Sequence, residues 1–343
     1  MTDMFINEEF AKKLLSGFSI SDCAIDREKG YGFVLTQEQN DRQTLPAIRV
    51  MIAAAENPME RRFNVVTMFN MSFPTLARGI EPKEYVVADL ATLTYSSDRS
   101  GRREEKPIDK LLDLHNPDDT LCTISRVVRA AGKVYAIGGY RCILRREGVE
   151  QWVNLRDEGK GAPLPEQLPA KDETSWALSL GFNDLAAFAA DDMYAVGGYG
   201  DVWRFDGKRW LQCAFPSNAH LETVCCGDDS RVYISDQKGK VWAGRENRWE
   251  LLADSDLPWG SQPIDAVWFA DRLILGGWGG LFALDGKELV PLQELEPRSP
   301  NAMVSGRLDV SPCGQFLLTA GPYGACLYDG QRWTRLFSMF DFD

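Results

Sequence analysis

The stretch Met193–Trp210 reads M-Y-A-V-G-G-Y-G-D-V-W-R-F-D-G-K-R-W. It contains two short β-type runs, Met193–Val196 and Asp201–Phe205, joined by the glycine-rich link Gly197–Gly200. Because glycine adopts positive φ without steric cost, this link predicts a tight reversal between antiparallel strands. A second turn, D-G, then leads into a third run. The stretch therefore predicts three antiparallel strands joined by short turns.

The same pattern recurs four more times in the chain. The recurrences are Val134–Trp152, Val232–Trp249, Leu273–Leu289 and Phe316–Trp333. Counted from Trp210, the closing residues follow one another after 39, 40 and 44 positions. A period near forty with about four strands per unit is typical of β-propeller blades.

A fourth β-type run precedes each repeat and is expected to be the innermost strand of its blade. These runs are Ile124–Ala130, Asp184–Ala190, His220–Cys226, Ile264–Phe269 and Met303–Val310. The double glycine, followed by an aromatic residue, D-G and Trp, resembles a compressed kelch repeat and the short bacterial propeller repeats of the D-G-x-x-W type. The resemblance covers about residues 120–337 and implies architecture rather than activity.

The whole chain, 1–343, is predicted to be one all-β domain, a closed propeller of four-stranded blades. Residues 120–337 form five clear blades, and residues 18–119 fit two degenerate ones, which gives seven blades, with six as the alternative. Residues 1–17 predict a short helix placed to cap or close the ring. The charged stretch 96–110 and the proline-rich stretch 156–175 are interpreted as exposed loops.

The chain is acidic, with a net charge of −12 at pH 7. Nucleic acid is therefore not expected as a direct partner, because phosphates require a basic face. The negative electrostatic field of the chain favours a basic protein as the partner, because attraction between opposite charges accelerates association. The alternative is that the negative surface only keeps the protein soluble.

Eight cysteines are present, and none forms a C-x-x-C pair. Most look like small apolar core residues, so we expect no disulfide in a reducing cytosol. With two histidines and no ligand spacing, neither a metal nor another cofactor is expected. The N-terminal segment has no apolar core typical of a signal peptide, and the longest apolar run, Val50–Ala55, is too short to span a membrane. A cytoplasmic location is therefore predicted.

No catalytic set is recognisable in the sequence. It lacks a G-x-S-x-G elbow, an H-E-x-x-H motif and a P-loop. His220 lies in a predicted inner strand and is interpreted as structural. The chain is therefore predicted not to be an enzyme. The alternative is a carbohydrate-active hydrolase or lyase that uses carboxylates in the channel.

The turns between the second and third strands carry large side chains at one position of the repeat. They are Tyr140, Tyr199, Trp278 and Tyr323, with Lys238 in the remaining repeat. Because these turns emerge on one face of a propeller, we predict a partner-binding ring there. The alternative is that each aromatic side chain packs between neighbouring blades. The tryptophans that open the outer strands, Trp152, Trp210, Trp249 and Trp333, are expected in the core between blades.

These features favour a monomeric protein that binds another protein without catalysis. In general profile the chain is similar to propeller-type immunity proteins, which shield bacteria from nucleases or other toxic effectors. The resemblance implies a basic effector, such as a nuclease, as the partner. A general interaction scaffold is the alternative.

Overall fold

The repeated runs and turns form seven four-stranded antiparallel sheets, each built from four consecutive strands. A computed structural model describes residues 4–38, 44–98, 101–112, 122–165 and 180–342. The sheets are arranged around a central channel as the blades of a propeller, so the predicted all-β fold with seven blades is confirmed. The six-blade alternative is wrong.

Each blade runs from an innermost strand at the channel to an outermost strand at the periphery. Blades 1 and 2 contain β1 (Phe18–Arg27), β2 (Gly30–Gln37), β3 (Ile48–Ala54), β4 (Phe63–Met68), β5 (Thr75–Arg78), β6 (Tyr85–Ala88), β7 (Thr94–Asp98) and β8 (Gly101–Glu105). Blades 3 and 4 contain β9 (Ile124–Ala130), β10 (Lys133–Gly138), β11 (Cys142–Gly148), β12 (Gln151–Asn154), β13 (Phe182–Ala189), β14 (Asp192–Gly197), β15 (Asp201–Phe205) and β16 (Trp210–Gln212).

The last three blades follow the same order. They contain β17 (Leu221–Cys226), β18 (Val232–Asp236), β19 (Lys240–Arg245), β20 (Arg248–Asp254), β21 (Pro263–Phe269), β22 (Arg272–Gly277), β23 (Gly280–Asp285), β24 (Glu288–Pro291), β25 (Arg307–Val310), β26 (Leu317–Gly321), β27 (Gly324–Tyr328) and β28 (Trp333–Ser338). The helices among the described residues are short. They are α1 (Glu8–Leu15), α2 (Met59–Arg62), α3 (Ile108–Leu111), α4 (Leu292–Leu295) and two 3-10 turns, Gly139–Arg141 and Met339–Asp341.

Buried apolar side chains fall into seven clusters, one at each junction between neighbouring blades. Trp152 and Trp210 are buried in two of these clusters, as expected, whereas Trp249 and Trp333 are only partly buried. Because each sheet packs on both faces, its middle strands are apolar on both sides. This packing explains the short continuous apolar runs in the repeat.

Polar side chains on the innermost strands connect neighbouring blades. Backbone amides of the next blade donate to Asp22, Thr75, Asp184, Asp265 and Asp309, at 2.7–3.1 Å. These bonds occur at five of the seven junctions. In β1, β13 and β21 an irregularity in strand register immediately precedes the aspartate. Such bulges redirect a side chain, here along the ring.

Helix α1 lies between the first and the last blade. Leu14 and Leu15 of the helix, together with Phe5 before it, belong to one buried cluster with residues of both blades. The ring of Phe5 stacks on Phe337 of β28 at 5.4 Å. The N-terminal segment therefore fills the junction at which the ring closes.

The stretch 96–110 is not an exposed loop. It forms the end of β7, strand β8 and the start of α3, apart from residues outside the described ranges. Since β8 is the outermost strand of blade 2, most of its residues face water, and the charged sequence R-R-E carries no apolar pattern. The interpretation was wrong because an outermost strand needs little apolar burial. The stretch 156–175 is described only to residue 165.

The expectation of no disulfide is also wrong, because Cys122 and Cys142 are joined, with their Cα atoms 6.2 Å apart. Gly138 in β10 pairs with Ile124 on one side and with Cys142 on the other. The antiparallel register therefore brings the starts of β9 and β11 together. Since disulfides persist mainly in oxidising compartments, the argument from reduced thiols to a cytoplasmic location no longer holds.

Candidate functional site

The turns between second and third strands share one face of the ring with the links between blades. Gly200 donates to Ala219 at 2.8 Å, Leu257 donates to Lys238 at 2.8 Å, and Tyr323 donates to Met303 at 2.8 Å. Each bond joins such a turn to an interblade link. We call this side of the ring the connector face, formed by residues 38, 44–47, 89–93, 139–141, 198–200, 237–239, 278–279 and 322–323 together with the adjacent interblade links.

The tight approach of turn and link explains one glycine of the repeat. Gly200 has φ of +71°, and a Cβ atom there would lie 1.9 Å from the carbonyl oxygen of Ser217. Only glycine tolerates both the left-handed backbone and this contact. The sequence G-G-Y-G therefore holds Tyr199 at the tip of its turn, where the side chain is 67% exposed.

The five residues predicted to bind a partner all lie on the connector face but differ in exposure. Trp278 is 48% exposed, and the guanidinium of Arg307 lies 5.8 Å from its ring centroid. Tyr140 and Tyr323 are half-buried, and Tyr323 contacts Phe340 edge to face at 5.5 Å. Lys238 lies 3.9 Å from Asp256 in the neighbouring link. Tyr140 and Tyr323 therefore fit the alternative that these aromatic side chains pack between neighbouring blades. The rings of Tyr199 and Trp278 are instead exposed to solvent.

Sequence reasoning missed a larger apolar surface on the same face. We call it the apolar arc. Its exposed members are Leu45, Phe69, Phe73, Trp259, Trp278, Leu295, Met303 and Phe340. Trp259, in the link between blades 5 and 6, is 95% exposed. The arc runs from that link past blades 6, 7 and 1 to the link before blade 2, and Tyr199 of blade 4 lies outside it. Exposed apolar patches of this kind mark interaction surfaces in soluble proteins.

Few charges accompany the apolar arc. Among the described residues, the turns and links that carry it contain six charged residues, namely Glu38, Asp256, Glu294, Glu296, Arg298 and Asp341. The surplus negative charge of the chain therefore lies mostly on other surfaces. This composition, with large apolar side chains and depleted charge, resembles the buried centre of protein–protein interfaces.

Arginine side chains cross the channel below the connector face. Arg126 of blade 3 pairs with Asp184 of blade 4 at 3.3 Å and with Asp265 of blade 6. Arg307 of blade 7 lies 3.6 Å from Asp265 and donates to the carbonyl oxygen of Ser21 at 2.8 Å. The carboxylates of Asp184 and Asp265 are thus engaged by arginines and backbone amides.

His220 lies at the channel mouth beside Tyr199. Asn183 Nδ2 donates to the carbonyl of Leu221 at 2.7 Å and lies 2.9 Å from His220 Nε2, which places an acceptor nitrogen on the ring. Burial lowers the pKa of His220, consistent with a neutral imidazole. Burial, with the charges of Asp236 and Asp184, raises the pKa of neighbouring Glu222 to about 7. This local bonding supports the structural interpretation of His220.

Within the described residues, no three His, Cys, Asp or Glu side chains group as a metal site requires. None of the helices in that part of the chain has the length and apolar character needed to cross a membrane.

Comparison with curated proteins finds similarity to the immune protein Tsi7 of Pseudomonas aeruginosa, at 29% identity over 205 residues. The aligned part is 60% of this chain and 61% of Tsi7, so the chain spans about three fifths of that relative. No protein-family model matches the chain.

Solved structures of similar fold include two propellers. YCF48, bound to a D1 peptide, is 12% identical with a TM-score of 0.57, and the match covers 92% of each chain. Virginiamycin B lyase from Staphylococcus aureus is 11% identical with a TM-score of 0.51, covering 76% of this chain and 82% of the lyase. At such identities the likeness shows the fold alone.

Proposed function

We propose that this propeller is an immunity protein that binds a toxic effector protein through its connector face and neutralises it without catalysis. The apolar arc carries the proposal, because large exposed aromatic side chains in a charge-poor surface require a partner to cover them. The similarity to Tsi7, an immune protein, supports the same function.

The effector we propose is a basic protein, such as a nuclease, bound by one copy of this chain. A net charge of −12 creates a long-range field that attracts a basic protein. The apolar arc supplies short-range contact once the partner has arrived. Association is then expected to slow as salt screens the field, while dissociation depends on the aromatic contacts.

The test takes the products of the adjacent genes as candidate effectors, each produced with an inducible promoter in a sensitive host. Co-expression of the wild-type chain should restore growth, and the purified chain should inhibit the effector at equimolar concentration. The double variant W259A/W278A should protect poorly. Leu251→Ala is the matched control, because Leu251 is 43% exposed on β20, away from the connector face.

Two results would contradict the proposal. The first is that the wild-type chain fails to restore growth when an adjacent effector is produced. The second is that W259A/W278A protects as well as L251A. Circular dichroism of each purified variant distinguishes loss of binding from loss of folding.

A further inference from the structure

The central channel contains a cavity of about 380 Å³ that none of the preceding interactions requires. We call it the lower chamber. Inner strands of all seven blades line it, and its wall includes Arg78, Arg129, Asp309, Ala187, Cys226 and Trp268. Small-molecule sites occupy roughly 300–1,000 Å³, so the volume suits a compact organic ligand.

Two arginines on adjacent inner strands line the chamber with little negative charge to match them. Arg78 lies 3.6 Å from Asp26, but Asp26 pairs more closely with Arg27, at 2.8 Å. Arg129 donates to the carbonyl of Gly79, and no carboxylate among the described residues forms an ion pair with it. Burial lowers the pKa of Arg129, and the charge of Arg78 lowers it further. Among the described residues Asp26 is therefore the one carboxylate within ion-pair distance of either guanidinium, and the charge of Asp309 in the chamber wall also acts on both.

Three carboxylates line the chamber, those of Asp22, Asp184 and Asp309, and each accepts a hydrogen bond from a backbone amide. Asp22 accepts from the amides of Cys23 and Leu76, at 2.9 and 2.7 Å. Asp184 accepts from Leu185 and Val224, both at 2.9 Å. Their oxygens hold neighbouring blades together and Asp184 also pairs with Arg126, whereas no ion pair among the described residues joins Asp22 or Asp184 to Arg78 or Arg129. The guanidiniums in the chamber therefore carry more N–H donors than the acceptors around them engage.

The wall formed by blades 4, 5 and 6 is mostly apolar. It contains Ala187, Cys226 and the ring of Trp268, which stacks on Tyr233 at 5.3 Å. The indole Nε1 of Trp268 is buried, and no described residue accepts its hydrogen. The chamber thus has a cationic side at blades 2 and 3 and an aromatic side at blade 6.

We infer that the lower chamber binds a small organic anion, a carboxylate or phosphate ester with an apolar body. Arg78 and Arg129 hold the anionic group, since planar guanidiniums match carboxylate and phosphate oxygens. Trp268 and its neighbours contact the apolar body. This site lies at the end of the channel away from the connector face, so it is independent of effector binding.

Isothermal titration of the full chain tests the assignment with three probes. Phenyl phosphate carries both features, inorganic phosphate only the charge, and benzyl alcohol only the ring. We expect phenyl phosphate to bind tightest. Arg129→Gln should weaken it about tenfold, as for loss of a charge-assisted hydrogen bond. Arg335→Gln is the control, because this arginine is 58% exposed on the outer strand β28.

If Arg129→Gln folds poorly, Arg129→Lys replaces it in the test. Lysine keeps the positive charge and loses only the planar set of guanidinium donors. That variant should bind phenyl phosphate more weakly than wild type and melt at a similar temperature. Any of three results overturns the inference. The first is that wild type binds no anion at about 10 mM. The second is that benzyl alcohol binds as tightly as phenyl phosphate. The third is that the Arg129 variants bind phenyl phosphate as tightly as R335Q does.

Discussion

The carboxylate of Asp309, on the innermost strand of blade 7, accepts a hydrogen bond of 2.7 Å from the amide of Ile25, on the innermost strand of blade 1. The two residues are 284 positions apart. No strand is exchanged between the first and last blades, so this bond, Arg307 and the α1 cluster join them.

Replacing Asp309 with Ala should weaken this junction. The amide of Ile25 would lose its acceptor, at a cost of ~1–3 kcal/mol in the free energy of unfolding. Asp309→Asn keeps an acceptor oxygen and should cost less. Urea unfolding at pH 5 measures both variants. Asp285→Ala, at the exposed end of β23, is the control. Equal loss in D309A and D285A would show that the bond contributes nothing.

The stability of the protein should depend on pH through Asp309. Burial raises the pKa of Asp309 to about 7, well above the ~3.9 of an unfolded chain. The folded state therefore holds this proton more tightly. Its contribution to stability is complete below pH ~4 and is lost as pH rises towards 7. Unfolding of wild type and D309N from pH 5 to 8 should give a steeper decline for wild type. Parallel curves would contradict this account.

Aromatic residues of the connector face should differ in their effect on effector binding. Trp278→Ala and Trp259→Ala remove exposed members of the apolar arc, so each should weaken binding by ~2 kcal/mol, mainly through faster dissociation. Tyr199→Ala should have a smaller effect, because Tyr199 lies apart from the arc. Surface plasmon resonance at two salt concentrations separates the two rates. Equal effects for all three would indicate that the partner covers the whole ring.

Thiol titration should count six free cysteines in protein unfolded without reductant and eight after reduction, because Cys122 and Cys142 are joined. In the folded protein only Cys313 is exposed, and its hydrogen bond from Ser311 lowers its pKa, so it should react first. Eight thiols without reductant would restore the original expectation. Cys142→Ser should lower stability by ~2–4 kcal/mol if the bond constrains the unfolded chain.

The repeat predicts the blades because a glycine turn and a closing tryptophan must recur wherever the same packing recurs. The Y-A-V-G-G-Y-G sequence thus located β14 and β15 to within a residue. Trp259 and Phe73 carry no such signal, since links between blades vary and nothing in their flanking residues distinguishes exposed aromatics from buried ones. The disulfide depends on strand register, and register follows from pairing across three strands rather than from the spacing of cysteines. The residues predicted to bind a partner remain a prediction, as does the effector.

The stacking of Phe5 on Phe337 has a consequence for biosynthesis. A ribosome translating 5–20 residues per second needs roughly 17–66 s to pass from one phenylalanine to the other. Throughout that time the first blade and helix α1 carry an apolar surface whose covering strands have not yet been made. Until the seventh blade emerges, the nascent chain therefore exposes apolar surface of the kind that promotes aggregation, and the ring can close only once that blade has been made.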